Sequence, residues 1–181
     1  MEKPLLILDL DETLIWAREE AATAFDFKVF SYFVSKRPYL DEFLQRVPLW
    51  YRVAVWTSSG EEYAQQVIGH VFGEEPGLEF IWTSSRCTMR FDPEERKHHA
   101  VKDLKKVKRR GYSLDRVLFM DDRPEMLERN YGNHLPVAPY EGEPGDTELL
   151  DILPSLEWLS SQPNLRSIEK RSWRSWGESR S

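Results

Sequence analysis

The chain has 181 residues, 40% of them hydrophobic and 31% charged, with a formal net charge of -6. That length allows one domain with a full core, and the acidic balance argues against non-specific attraction to nucleic acid or to an anionic membrane. No apolar run approaches a membrane span, and the single cysteine, Cys87, cannot form an internal disulfide, which fits a reducing, cytoplasmic setting.

The first element is the run Leu5–Leu8, bounded by Pro4 and a polar cluster. It reads as a strand buried on both faces. The acidic cluster Asp9, Asp11, Glu12 ends this apolar stretch, so no secretory leader is expected. Residues 25–34 are aromatic and β-branched and predict an inserted strand or hairpin. Leu40, Phe43, Leu44 and Val47 then repeat at i, i+3, i+4 and i+7 behind Pro38, a first-turn proline of a helix. Val53–Trp56 predicts a strand. Ala64, Val67, Ile68 and Val71 predict a helix stopping before Gly73.

Strands are expected at Leu78–Trp82, Val117–Met120 and Leu135–Ala138, with a further insertion at Thr83–Phe91. Ala100, Leu104 and Val107 predict a third helix ended by Gly111. A last helix spans Thr147–Leu159. Strands alternating with helices imply an α/β fold, a parallel sheet with helices on both faces. Beyond Pro163 the composition turns basic. Arg166, Lys170, Arg171, Arg174 and Arg180 face Glu169 and Glu178, a net +3, interleaved with Trp173 and Trp176. The domain is therefore placed at 1–160 and a tail at 161–181. The tail is expected to be frayed or laid on the body through its tryptophans, with an acidic partner as the alternative.

Ligands of open α/β sheets bind beyond the carboxyl ends of the strands. Three polar clusters sit there: Asp9-Leu10-Asp11-Glu12-Thr13, Thr57-Ser58-Ser59-Gly60 and Asp121-Asp122-Arg123-Pro124. Asp9 and Asp11, two apart on extended chain, share a side. If Asp121 and Asp122 converge on them, a cation must sit between, and an oxygen-only ligand set points to Mg²⁺. No His or Cys spacing suggests zinc: His98-His99 lacks partners, and His70 and His134 read as ordinary helix or loop residues. Lys97, Lys105, Lys106, Lys108, Arg109 and Arg110 read as a solvated helix face able to steer anionic substrates.

DLDETL resembles the DxDx(T/V) motif of the haloacid-dehalogenase superfamily of aspartate-nucleophile phosphatases. Five further blocks follow in order: Lys36–Leu44, VWTSS at 55–59, AVKDL at 100–104, RVLFMDDRP at 116–124 and DTELLDILPSLEWL at 146–159. Together, over roughly residues 4–160, they resemble the small phosphatases acting on the C-terminal domain of RNA polymerase II, with the NLI-interacting-factor-like proteins. The small phosphatases usually carry Asp-Asn where this chain has Asp121-Asp122, as in the larger polymerase-tail phosphatases.

The resemblance implies a three-layer Rossmann-like fold with short β insertions and no large cap domain. It implies a Mg²⁺-dependent phosphomonoester hydrolase, most simply a phosphoserine or phosphothreonine protein phosphatase acting on a phosphorylated protein or peptide. Asp9 is the implied nucleophile, forming an aspartyl-phosphate, and Asp11 the acid and base. Mg²⁺ would be held by Asp9, the Asp11 backbone carbonyl, and Asp121 or Asp122. Thr57 and Lys102 would contact the phosphoryl group. Ser58 is a weaker substrate-binding candidate, or a cap for the following helix, and Thr13 ties down the turn. The rivals are a phosphatase of small metabolites or nucleic-acid ends, and an inactive binding module of the same fold.

Overall fold

The computed structural model describes residues 2–20, 24–74, 77–94 and 96–176. Its centre is β1 (Leu5–Leu8), flanked in parallel by β5 (Arg52–Trp56) and β9 (Val117–Asp121). The five-stranded sheet is completed by β6 (Ile81–Trp82) beyond β5 and β10 (His134–Pro136) beyond β9. Because side chains alternate along β1, Leu6 and Leu8 enter one core and Leu5 and Ile7 the other. An apolar residue at every position is what that two-sided burial requires.

The two faces are covered unequally. Helices α1 (Leu40–Trp50) and α2 (Glu61–Phe72) pack on the Leu6–Leu8 face, with α4 (Glu148–Asp151) and α5 (Leu153–Ser160) toward the C-terminus. The opposite face is closed by Leu104 and Val107, by Met126 and Leu127, and by stacked Phe80 and Trp82. Val107 belongs to α3, only Lys105–Lys108.

Two insertions flank the sheet. Strands β2 (Ile15–Arg18), β3 (Phe27–Val29) and β4 (Tyr32–Lys36) form an antiparallel sheet in the order β2-β4-β3. Strands β7 (Thr88–Asp92) and β8 (Lys97–Val101) form a hairpin.

The structure corrects several boundaries. Ala100 is not helical but pairs with Met89 across the hairpin. The third helix shrinks to one turn after Asp103, whose carboxylate accepts the Lys105 N–H at 3.0 Å. The basic residues expected on one helix face are therefore divided between β8, α3 and the following turn. Gly111 does stop the segment, with φ 96°. Pro38 lies outside α1, because Tyr39 adopts a left-handed conformation (φ 63°) and the helix opens at Leu40. The expected Leu78–Trp82 strand is only Ile81–Trp82.

The described part of the tail packs on the body. Leu165 and Trp173 are core members, and the Trp173 indole donates to the Pro136 carbonyl at 2.7 Å. Lys170 is buried and donates to the carbonyls of Gly132, Leu165 and Ile168 at 2.8, 2.6 and 2.7 Å. Trp176 meets Trp158 edge-on at 5.4 Å. Within this segment Trp173–Ser175 forms a 3-10 turn. Glu178 and Arg180 lie outside the described residues. No helix among those residues is long and apolar enough to cross a membrane.

Candidate active site

Strand register assembles the site. Leu8 pairs with Val55 on one side and Met120 on the other, so the next residue of each strand or turn reaches the same edge. Asp9 there donates its backbone N–H to the Met120 carbonyl at 3.1 Å. The carboxylates of Asp9, Asp121 and Asp122 come together, one oxygen of each lying within 4.8 Å of the others.

Lys102 closes this group from the loop between β8 and α3. It is buried, and its ammonium donates to Asp9 Oδ1 and Asp121 Oδ2, both at 2.7 Å. One ammonium against three carboxylates leaves a charge deficit. Burial pushes the Asp9 carboxyl well above its usual range; Lys102 opposes this and Asp121 adds to it. Burial alone would lower Lys102, yet Asp9 and Asp121 hold it above its ordinary value and so charged. Burial and then Asp121 raise Asp122, while Thr13 lowers it. The donor set is all oxygen, as a small hard dication such as Mg²⁺ requires.

Asp11 points elsewhere. Its Oδ2 accepts the Ser59 hydroxyl at 2.7 Å and its Oδ1 the Tyr63 hydroxyl at 2.6 Å. Its carboxylate therefore stands outside the three-carboxylate cluster. Burial, followed by the Asp11 charge, raises the Tyr63 phenol, which stays protonated as a donor. Beside Asp11 lies a cavity of about 330 Å³, lined by Glu12, Phe30, Tyr32, Gly60 and Tyr63 among others.

Thr13 behaves as the sequence suggests. Buried in the turn, it donates to Asp122 Oδ1 at 3.1 Å and accepts the Asp122 backbone N–H at 3.2 Å. Thr57 is buried beyond β5, and its hydroxyl accepts the Ser59 backbone N–H at 3.1 Å. Ser58 is exposed and does not cap α2, which opens on Gly60 without a side-chain cap.

Several supporting residues escaped the sequence reading. Arg37 is buried, donates to the Thr13 carbonyl at 3.1 Å and makes a paired contact with both Asp146 oxygens at 2.8 Å. This bidentate pair anchors the loop after β1 to the turn before α4. The His134 ring sits 2.8 Å from the Asp121 carbonyl through Nε2, which must donate there. Burial lowers its pKa and keeps the ring neutral. Ser59 and Tyr63 are spaced i, i+4 around the start of α2, the one sequence signal that could have joined them. His99 approaches Glu128 at 3.3 Å and His70 stacks on Phe27, so neither belongs to the site.

Glu12 sits at φ 56° and is half-buried. Burial, then Asp11 and Asp122, raise its pKa to about 7. The folded state therefore holds this proton more tightly than the unfolded chain, and the stability it contributes is lost as pH rises from the ordinary glutamate range through about 7. In chelator, Glu12→Gln should melt higher than the parent at pH 8 and equally at pH 4. The gap should be about 1 kcal/mol, since the side chain is partly exposed to screening solvent. A gap that widens toward pH 4 would contradict the assignment.

The model of the NLI interacting factor-like phosphatases matches residues 4–166. The chain belongs to this family. It is thus a phosphatase of the haloacid-dehalogenase type, as sequence resemblance implied. CTD nuclear envelope phosphatase 1 of Xenopus laevis is 28% identical to this family member over 187 residues, 94% of this chain and 73% of the relative. Nuclear envelope morphology protein 1 of Saccharomyces cerevisiae is 32% identical over 92% of this chain, which spans only 41% of that relative. Carboxy-terminal domain RNA polymerase II polypeptide A small phosphatase 1 of Homo sapiens is 31% identical, with 92% and 63% covered. In fold, the chain matches the fission yeast RNA polymerase II CTD phosphatase Fcp1 bound to beryllium fluoride, with a TM-score of 0.61. The identity is 18%, over 87% of this chain and 50% of that one.

Proposed function

We propose that this phosphatase hydrolyses phosphoserine or phosphothreonine in proteins through an aspartyl-phosphate on Asp9, with Mg²⁺ as cofactor. The observation that carries the reading is the convergence of the Asp9, Asp121 and Asp122 carboxylates, with Asp9 and Asp121 sharing one buried ammonium, Lys102. Asp9, Asp121 and Asp122, with the Asp11 carbonyl, would hold the Mg²⁺, which supplies charge neutralisation between an anionic nucleophile and an anionic ester.

In this reading an Asp9 oxygen attacks phosphorus, and the new O–P bond forms as the ester bond to the leaving oxygen breaks. Asp11, which in this reading enters the step protonated, gives its proton to that oxygen. Asp11, now a carboxylate, takes a proton from water, and the oxygen of that water adds to phosphorus. The Asp9–phosphorus bond breaks and inorganic phosphate leaves. Lys102 and Thr57 hold phosphoryl oxygens, with Ser58 at the rim. This machinery is assigned to residues 1–160, with residues 161–181 outside the chemistry.

The substrate class follows from openness. Between Asp11 and Thr57 the described residues build a three-stranded sheet and α1 and, among themselves, no large cap, which favours access for a bulky protein substrate. The name of the human relative supports a protein substrate, and those of the frog and yeast relatives make the nuclear envelope a compartment to test beside the cytoplasm. The test compares phosphopeptides, phosphometabolites and 3′-phosphorylated oligonucleotides. Peptides should lead by at least ~10-fold in kcat/KM. Chelation should stop turnover, and Mg²⁺ should restore it better than Ca²⁺, whose looser shell misplaces the nucleophile. Preference for a metabolite, or full activity after exhaustive chelation, would reject the corresponding part of the proposal.

A further inference from the structure

We infer that Ser59 and Tyr63 are positioning residues that lock the Asp11 carboxylate onto the leaving-group side of the site; this rests on Asp11 being the proton donor. Both Asp11 oxygens are engaged by neutral hydroxyls, at 2.7 Å from Ser59 and 2.6 Å from Tyr63. A carboxylate on its own has two free torsions and would be drawn toward any cation held by its neighbours. The two donors remove that freedom and separate Asp11 from the Asp9, Asp121 and Asp122 cluster.

The clamp is itself held. Tyr63 packs edge-on against Tyr32 of β4 at 5.8 Å, a contact that supports the ring on one side. The Ser59 backbone N–H donates to the Thr57 hydroxyl at 3.1 Å, joining the clamp to the turn proposed to face the phosphoryl group. Asp11, Tyr63, Ser59 and Tyr32 all line the same cavity of about 330 Å³, the space the proposal assigns to the leaving group. The position of the proton donor matters most when the departing oxygen is a poor leaving group. A serine alkoxide needs the proton as its bond breaks; p-nitrophenolate leaves without it.

The test is pre-steady-state kinetics at excess substrate with a phosphoserine peptide and with p-nitrophenyl phosphate, read as formation of the phosphoenzyme. Tyr63→Phe keeps the ring and its contact with Tyr32, and its melting temperature reports folding. It should slow the peptide reaction by ~10–100-fold while the p-nitrophenolate burst stays within ~3-fold. Ser59→Ala should show the same selectivity, more weakly. Placed in an Asp11→Asn background, Tyr63→Phe should cause no further loss on the peptide. Equal losses on both leaving groups, no loss on either, or an undiminished effect in the Asp11→Asn background would overturn the clamp. If the parent protein shows no burst and Asp9→Asn stays active, the aspartyl-phosphate reading fails and the clamp falls with it. A normal parent burst with an indifferent Tyr63→Phe sinks the clamp alone.

Discussion

Asp9→Asn should reduce phosphomonoester turnover by at least ~10⁴-fold while the fold persists, because a carboxamide oxygen is far too weak a nucleophile to displace an alkoxide from phosphorus. Asp9 is the residue that sits directly beyond the central strand, hydrogen-bonded through its backbone to Met120, with Lys102 on its side chain. Asparagine has nearly the same shape, and its amide oxygen still accepts from Lys102, which also keeps Asp121. One negative charge also leaves a crowded, buried cluster, so the metal-free variant should melt no lower than the parent. Turnover measured with a phosphopeptide, together with thermal unfolding, decides the matter. Near-normal rates in a folded Asp9→Asn protein would remove Asp9 from the chemistry. Loss of rate with loss of folding would assign the residue a structural duty instead.

Lys102→Met carries the second large effect, on stability as well as rate. Methionine preserves much of the volume between Asp9 and Asp121 but removes the ammonium that both carboxylates accept at 2.7 Å. Breaking a buried ion pair from one side costs about 3–5 kcal/mol, because the charge left behind is neither solvated nor paired. The variant should therefore unfold at lower denaturant than the parent at pH 7 to 8. The deficit has a definite pH sign. Without Lys102, the buried carboxylates bind protons more readily in the folded state than in the unfolded chain, so the deficit shrinks as pH falls. Added Mg²⁺ should recover part of it by neutralising the same oxygens. Turnover should fall by ~10²–10³-fold, the scale for losing one group that stabilises charge in a transition state. A variant as stable as the parent at every pH would mean that the three carboxylates are neutral in the folded state.

Two apolar faces on one strand, with carboxylates crowded just beyond it, left few folds open. Leu5–Leu8 could only be a central strand, and Asp9, Thr57, Asp121 and Asp122 reach one edge because parallel strands carry their carboxyl ends to the same side. The helices α1 and α2 were legible for a similar reason: their apolar residues repeat at the helical period. The third helix misled because Ala100 and Leu104 have that spacing, yet residues 97–101 satisfy their backbone by pairing with β7. Periodicity alone cannot register a hairpin partner.

Sequence by itself determined the α/β architecture, the acidic edge and the family, since these follow from local pattern and from motifs read in order. Motif position singled out Lys102 in the sequence, but tertiary structure alone decided what it touches. Lys102 stands among many basic residues, and only a contact across 93 positions brings it to Asp9. The same holds for Tyr63 on Asp11, 52 positions away, for Arg37 joined to Asp146 across 109, and for Trp173 seated on Pro136. Each of these pairs costs chain entropy to close and is sustained by burial, so its existence depends on the packed core and leaves no mark on local composition.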